Sequence, residues 1–163
     1  MSDYYTEQLI KKQTTMKDVF LKALLVSLSI VSVLIVFLFP LGIIIPIGVI
    51  AATVILIRRL DVEYEYLYVN GDLDIDKIMH KAKRKRVFSM NVNDLEVLAP
   101  IDAIELRQYQ RAKVLDYSSG TGRGRLYALV VTDHGQQKKI IFEPNDTIVE
   151  GFFLLAPRKV VRQ

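Results

Sequence analysis

The most pronounced pattern in the chain is an uninterrupted apolar stretch near the N-terminus. No charged residue occurs from Ala23 to Ile57, whereas charges are frequent elsewhere. Because Pro40 cannot continue a helix interior, the stretch divides into residues 23–39 and 41–57. Each segment is about 25 Å long as a helix, and a few flanking residues extend it towards the roughly 30 Å of a bilayer core. The pattern predicts a two-helix transmembrane hairpin over residues 19–60.

The charges that flank this stretch predict its orientation. The connection between the two segments is uncharged, whereas basic residues lie on the outer side of both: Lys11, Lys12, Lys17, Lys22, Arg58 and Arg59. Since short cytoplasmic segments are enriched in Lys and Arg, we expect a multi-pass protein of the cell membrane with both termini in the cytoplasm. A signal peptide, a buried hairpin of a soluble protein and a re-entrant loop are the alternatives.

After Arg59 the pattern changes to alternating apolar and polar residues. Residues 62–79 are predicted to form a β-hairpin, because the alternation flanks an Asn70-Gly71 dipeptide that suits a type I′ turn. One face of this hairpin is aromatic and aliphatic. The other face carries Glu65, Asp74 and Asp76, and must meet solvent or a basic neighbour.

Further elements follow at short spacing. A helix is expected to begin at Pro144-Asn145-Asp146 and to end before Pro157. A His134-Gly135 turn is expected to join the last two of five more strands. Those strands are predicted over residues 85–92, 94–101, 111–118, 125–133 and 137–145, which makes seven strands and one terminal helix.

This order of elements resembles the pleckstrin-homology-like (PH-like) superfold, two curved antiparallel sheets capped by a C-terminal helix. The stretches YEYLYVNGDLDIDKI, KRKRVFSM and NVNDLEVLAPI, within residues 64–101, are similar to the opening strands of bacterial PH-like domains found beside paired transmembrane helices. The resemblance implies an α+β membrane protein with a mostly antiparallel β domain and no catalytic motif to carry over. PH-like domains bind phosphoinositides, peptides or proteins, and the fold alone does not choose among these.

The chain thus divides into a cytoplasmic N-terminal segment (1–18), the hairpin (19–60) and a cytoplasmic PH-like domain (61–163). An apolar fraction of 51% agrees with a membrane component. Cysteine is absent, which excludes disulfides, thiolate metal sites and cysteine nucleophiles. The net charge of +4 is mild, so local clustering of charge matters more than the total.

The densest cluster is KAKRKR, from Lys81 to Arg86, with Lys77 just upstream. At roughly 1 kcal/mol per basic residue near an anionic membrane surface, three of these side chains would contribute about 3 kcal/mol. The alternative is pairing with the acidic strand of Asp72, Asp74 and Asp76. Nucleic acid is not an expected partner, since the sequence predicts no recognition helix beside the cluster. The candidate anion-binding residues are Lys77, Lys81, Lys83, Arg84, Lys85 and Arg86, together with Arg123 and Arg125 of a glycine-rich loop.

Other motifs in the sequence do not match known metal-binding, phosphate-binding or catalytic sites. The run from Asp72 to Asp76 lacks the glycine and the glutamate of a calcium loop. The loop SSGTGRGR, residues 118–125, matches neither phosphate-binding glycine pattern. The two histidines, His80 and His134, have no metal-ligand spacing, and no serine has a recognisable base. We therefore expect no cofactor, no metal and no enzymatic activity.

The leading hypothesis is a binding or scaffolding module at the inner leaflet, whose PH-like domain contacts anionic headgroups or a protein partner. The alternative is an accessory subunit of a larger membrane complex such as a transporter, with Ser27, Ser29, Ser32 and the glycines of the second segment forming a helix interface. A lipid-acting enzyme is the least favoured hypothesis. Association of the helices into a homo-oligomer is compatible with the sequence.

Overall fold

The structure is a computed structural model that describes residues 4–37, 42–122, 124–133 and 135–162. It contains two compact units. The first comprises Met1–Gln13, Glu63–Ile78 and Arg84–Gln163, and the second Thr14–Val62 with Met79–Lys83. The elements are β1 (Tyr5–Lys11), α1 (Met16–Leu34), α2 (Ile44–Leu60), β2 (Val62–Val69), β3 (Asp72–Met79), β4 (Lys83–Asn91), β5 (Leu95–Pro100), β6 (Lys113–Asp116), β7 (Tyr127–Asp133), β8 (Gln136–Phe142) and α3 (Asp146–Leu155).

Two four-stranded sheets and α3 form the first unit. The first sheet has the strand order β1-β2-β3-β4, and the second has the order β5-β7-β8-β6. Pairing is antiparallel between β1 and β2 and along β5-β7-β8, whereas β6 pairs with β8 in parallel. The predicted class, antiparallel sheets with a C-terminal helix, is confirmed. The strand count is eight and not seven, because the sequence analysis did not predict β1.

The β2–β3 hairpin forms as its alternation predicts. Asn70 and Gly71 have φ values of 47° and 99°, the left-handed conformation that a type I′ turn requires. Tyr66 and Tyr68 are fully buried on one face. Tyr66 packs edge-on against Phe142 with ring centroids 5.6 Å apart, and Tyr68 against Phe152 at 4.9 Å. These contacts join the first sheet to the second sheet and to α3.

Helix α3 closes the core at the predicted position. The Asn145 side chain accepts the Ile148 N–H at 3.0 Å and so caps the helix N-terminus. The helix buries Ile148 and Phe152 and ends before Pro157. At Gly151 the helix backbone lies against the Tyr68 ring, and a β-carbon there would overlap that ring. Close packing therefore requires glycine at this position.

The apolar helices α1 and α2 make up most of the second unit. The Asp18 carboxylate accepts the Thr15 backbone N–H at 2.9 Å, a capping contact in front of α1. Helix α1 continues as a 3₁₀ turn to Phe37. Among the described residues, Met16–Phe37 is the helix that is long and apolar enough to cross a membrane, and only 6% of its apolar window is buried. Helix α2 has 17 residues, about 25 Å. The predicted break at Pro40 lies outside the described residues.

Candidate functional site

The arginines of the basic cluster face the acidic strand of the hairpin. Nη2 of Arg84 lies 2.7 Å from the Glu65 carboxylate, and Nη2 of Arg86 lies 3.0 Å from the Asp74 carboxylate. Asp76 is nearly buried, with Nε of Arg86 3.4 Å from its carboxylate. The acidic face therefore meets a basic neighbour, which is one of the two outcomes that the sequence left open. Both arginines are committed to intramolecular ion pairs.

The lysines of the cluster differ from the arginines. Lys81, Lys83 and Lys85 are exposed and Lys77 is half-buried. Among the described residues, none of these four lysines has an ion-pair partner. Alternation along β4 explains the division, because Lys83 and Lys85 point to the face opposite Arg84 and Arg86. The cluster thus separates into paired arginines and unpaired lysines.

The turn between β3 and β4 is fixed to the end of α2. His80 and Lys81 both have positive φ, 49° and 53°. The backbone N–H of His80 donates to the carbonyl of Asp61 at 2.9 Å, and Asp61 directly follows the last residue of α2. We call Lys81 and Lys83 the turn lysines. They belong to the same compact unit as α1 and α2.

Arg125, another predicted anion-binding residue, pairs with an acidic residue of α3. Nη1 of Arg125 is 2.7 Å from the Asp146 carboxylate in the first turn of α3, and both side chains are exposed. Arg125 is therefore held at α3, away from the β3–β4 cluster. Arg123 lies outside the described residues, as does His134 in the predicted turn.

The glycine-rich loop encloses a carboxylate that belongs to the chain itself. Glu143 is buried, and it accepts hydrogen bonds from the Ser119 hydroxyl at 2.7 Å and the Ser119 N–H at 3.2 Å. A β-carbon at Gly124 would lie 2.7 Å from the Glu143 carboxylate. Ser119 and Gly124 of this loop therefore lie against a carboxyl group of the chain itself.

A polar contact joins the two apolar helices. The hydroxyls of Ser29 and Thr53 lie 2.9 Å apart, and Thr53 also donates to the Leu25 carbonyl at 3.4 Å. Ser32 is buried and donates to the Ser29 carbonyl of its own helix, whereas Ser27 is exposed and bonds to the Leu24 carbonyl. Among the three predicted serines, Ser29 therefore has a hydrogen bond across the α1–α2 contact.

The known family that the chain matches agrees with the observed fold. A family model described as Bacterial PH-like domain (DUF6106) matches residues 2–162. The chain belongs to this family. No curated protein and no solved structure matches it. PH-like domains are typically non-catalytic binding modules, and the described residues contain no group of acidic or histidine side chains that could hold a metal ion.

Sequence reasoning missed the polar network that surrounds Glu143. Gln8 of β1 donates to the Glu143 carbonyl at 2.8 Å and accepts the Asn145 N–H at 2.7 Å. The Tyr66 hydroxyl donates to the Tyr117 carbonyl at 2.6 Å. These residues come from four separate segments of the chain. Only the helix-cap position of Asn145 carried a sequence signal.

Proposed function

We propose that the chain is a two-span, membrane-anchored binding module whose PH-like domain lies at the cytoplasmic leaflet. The observation that carries this proposal is the exposure of α1. A core helix of a soluble protein would be mostly buried, whereas nearly all of the apolar window of α1 is exposed. An exposed apolar surface of this size requires a nonpolar environment, and a bilayer supplies one.

The dimensions and the polar contact of the helices support two spans. Met16–Phe37 is about 33 Å long, which is sufficient for a bilayer core. Helix α2 is shorter, and Arg58 and Arg59 in its last turn can extend towards the headgroups. The Ser29–Thr53 contact satisfies two hydroxyls that would otherwise face lipid.

The connections to the first sheet support an arrangement with both helix ends on one side of the membrane. Lys11 and Glu63 are direct cross-strand partners in β1 and β2. The chain leaves the sheet at Lys11 towards α1 and returns from α2 at Glu63. The start of α1 and the end of α2 are therefore tied to adjacent positions of one sheet. The excess of Lys and Arg around these ends favours the cytoplasmic side.

The turn lysines are the proposed contact with anionic headgroups. They carry two charges without an ion-pair partner among the described residues, and they follow His80, whose N–H donates to the Asp61 carbonyl just beyond the end of α2. At about 1 kcal/mol each within a Debye length of the surface, they contribute about 2 kcal/mol, a factor of about 30 in the population of the membrane-apposed state. The helices provide the anchoring, and the turn lysines orient the domain.

Fewer of the predicted interface residues remain available for the alternative, an accessory subunit of a larger membrane complex. The Ser29 hydroxyl is used within the α1–α2 contact, and Ser32 is buried with its hydroxyl bonded to α1 itself, so neither is available to a further helix. Ser27 is exposed, and a β-carbon at Gly48 would meet nothing within 4 Å. A partner helix in a larger complex would have to use these positions.

The test uses the full chain in lipid nanodiscs, with a fluorophore attached to Ala82→Cys between the turn lysines. Spin-labelled headgroups should quench it more strongly in anionic than in zwitterionic discs, and high salt or Lys81→Gln with Lys83→Gln should remove the difference. The control is Arg111→Gln with Lys113→Gln, the same charge loss at exposed positions elsewhere. Quenching that is independent of lipid charge would refute the lysine contact, and recovery of the chain without detergent would refute the anchor.

A further inference from the structure

A second exposed surface lies at the C-terminal end of α3. A groove of about 360 Å³ is bordered there by Val92, Leu155, Ala156 and Pro157. Val92 belongs to the 3₁₀ turn that follows β4. The groove borders are mainly apolar, and they include the end of a helix and two turns but no strand edge.

An exposed leucine of α3 belongs to this apolar surface. Leu155 is 53% exposed, although α3 buries its other large apolar face completely at Ile148 and Phe152. A single exposed leucine is ordinary in a folded protein. Leu155, however, borders the same groove as Val92, Ala156 and Pro157, and together they form an apolar patch of the kind that marks an interaction site.

The border of the groove carries positive charge. Arg158 is exposed and has no ion-pair partner among the described residues. Lys159 donates to the Leu95 carbonyl at 2.6 Å, and the guanidinium of Arg162 lies 3.5 Å above the Phe153 ring. None of the described residues that line the groove is acidic. A ligand that covers Leu155 would therefore meet the positive charge of Arg158 with no acidic residue in the groove lining to neutralise it.

The groove also lies at a defined end of the first sheet. Gly71 of the β2–β3 turn approaches it closely, since a β-carbon there would lie 2.8 Å from Cδ1 of Leu155. This turn follows Val69, at the end of β2 opposite Glu63. The groove is thus at the end of the sheet away from the chain connections to α1 and α2.

From these observations we infer that the groove binds an acidic amphipathic helix of a partner protein. Apolar side chains of that helix cover Leu155 and Val92, and its carboxylates face Arg158. A helix is the fitting occupant because an added strand needs an unpaired strand edge, and none borders the groove. The inference goes beyond the membrane contact of the turn lysines and uses none of the same residues.

The test measures binding of two synthetic amphipathic peptides to the full chain in zwitterionic nanodiscs. Both peptides present the same leucine face, but one carries Glu and the other Lys on its flanks. We expect the Glu peptide to bind at least about tenfold more tightly. Leu155→Ala should weaken it about fivefold or more, and Arg158→Glu should reverse the preference. Arg111→Glu, at an exposed position elsewhere, should leave the preference unchanged.

Three results would overturn the inference. The first is equal affinity for the two peptides, and the second is no binding of the Glu peptide below about 100 µM. The third is binding of anionic vesicles by the detergent-solubilised chain that depends on Leu155 and Arg158, which would assign the patch to a membrane. Leu155 and Arg158 are exposed, so neither substitution should disturb the fold. An unchanged Tm of both variants verifies this. A negative result here leaves the nanodisc quenching test of the turn lysines unaffected.

Discussion

Two buried tyrosines in one strand provide a matched test of the core. Tyr66 and Tyr68 are both fully buried in β2, two residues apart. The Tyr66 hydroxyl donates to the Tyr117 carbonyl at 2.6 Å and accepts the Glu143 N–H at 3.3 Å. The Tyr68 hydroxyl has the Gly71 N–H nearby but makes no hydrogen bond of normal geometry among the described residues. Substitution by phenylalanine removes the same oxygen from two different environments.

The expected effects have opposite signs. Tyr66→Phe leaves a partly buried carbonyl and a buried N–H without their Tyr66 partner, which should cost about 2 kcal/mol of unfolding free energy. Tyr68→Phe removes a hydroxyl that is desolvated without compensation, and should stabilise the protein by about 1 kcal/mol. The difference of about 3 kcal/mol corresponds to a Tm difference on the order of 10 °C for a domain of this size.

Thermal unfolding of the full chain in a non-ionic detergent, followed by near-ultraviolet circular dichroism, measures this difference. The chain has no tryptophan and eight tyrosines, so the signal reports on tyrosine packing. Equal Tm values for the two variants, or a lower Tm for Tyr68→Phe than for Tyr66→Phe, would refute the assignment of their hydroxyl partners.

Three further predictions concern the same fold. Burial raises the pKa of both core tyrosines, to about 12 for Tyr68. Because unfolded tyrosines ionise near 10, the free energy of unfolding should fall as the pH rises from 10 through the folded-state pKa. Denaturant midpoints measured across this pH interval should show the fall. Gly151→Ala forces a methyl group into the Tyr68 ring and should cost about 1–3 kcal/mol in denaturant titration, whereas Gly48→Ala, with open space around it, should cost nothing. Thr53→Val removes the hydroxyl bonded to Ser29, and in an SDS titration it should lower the free energy of unfolding of the helix pair by about 1 kcal/mol. An unchanged SDS midpoint would contradict that contact.

Strong local patterns predicted much of the domain. The Asn70-Gly71 turn and its flanking alternation identified the first hairpin, and the Asn145 cap identified α3. In both cases the signal lies within a few consecutive residues. The alternation predicted an aromatic face on this hairpin, and the structure adds that this face packs against Phe142 and Phe152.

Strand β1 could not be found by apolar periodicity because two of its three inward residues, Thr6 and Gln8, are polar, while Tyr5 and Leu9 on the outward face are exposed. Gln8 bonds to Glu143 and Asn145, and Thr6 accepts the Asn145 side-chain N–H at 3.1 Å. The partners of these side chains are more than 130 residues away in the chain. Because β1 completes the first sheet, a fragment that begins at residue 62 would lack one of its edge strands. Binding experiments therefore require the full chain.

The division of the basic cluster was only partly predictable. Alternation places Arg84 and Arg86 on one face of β4 and Lys83 and Lys85 on the other. Which face meets Glu65 and the acidic strand depends on how β4 pairs with β3, and the local sequence does not contain this information. The structure assigns the acidic neighbours to the arginines.

Single-cysteine labelling in intact cells tests the central claim, a two-span anchor with the domain in the cytoplasm, most directly. The chain has no native cysteine, so Gln13→Cys, Ile43→Cys and Arg162→Cys each report one position. The account predicts that a membrane-impermeant thiol reagent labels position 43 from outside and reaches positions 13 and 162 only after permeabilisation. Protection of all three positions in intact cells, with labelling of position 43 only after permeabilisation, would contradict a two-span anchor.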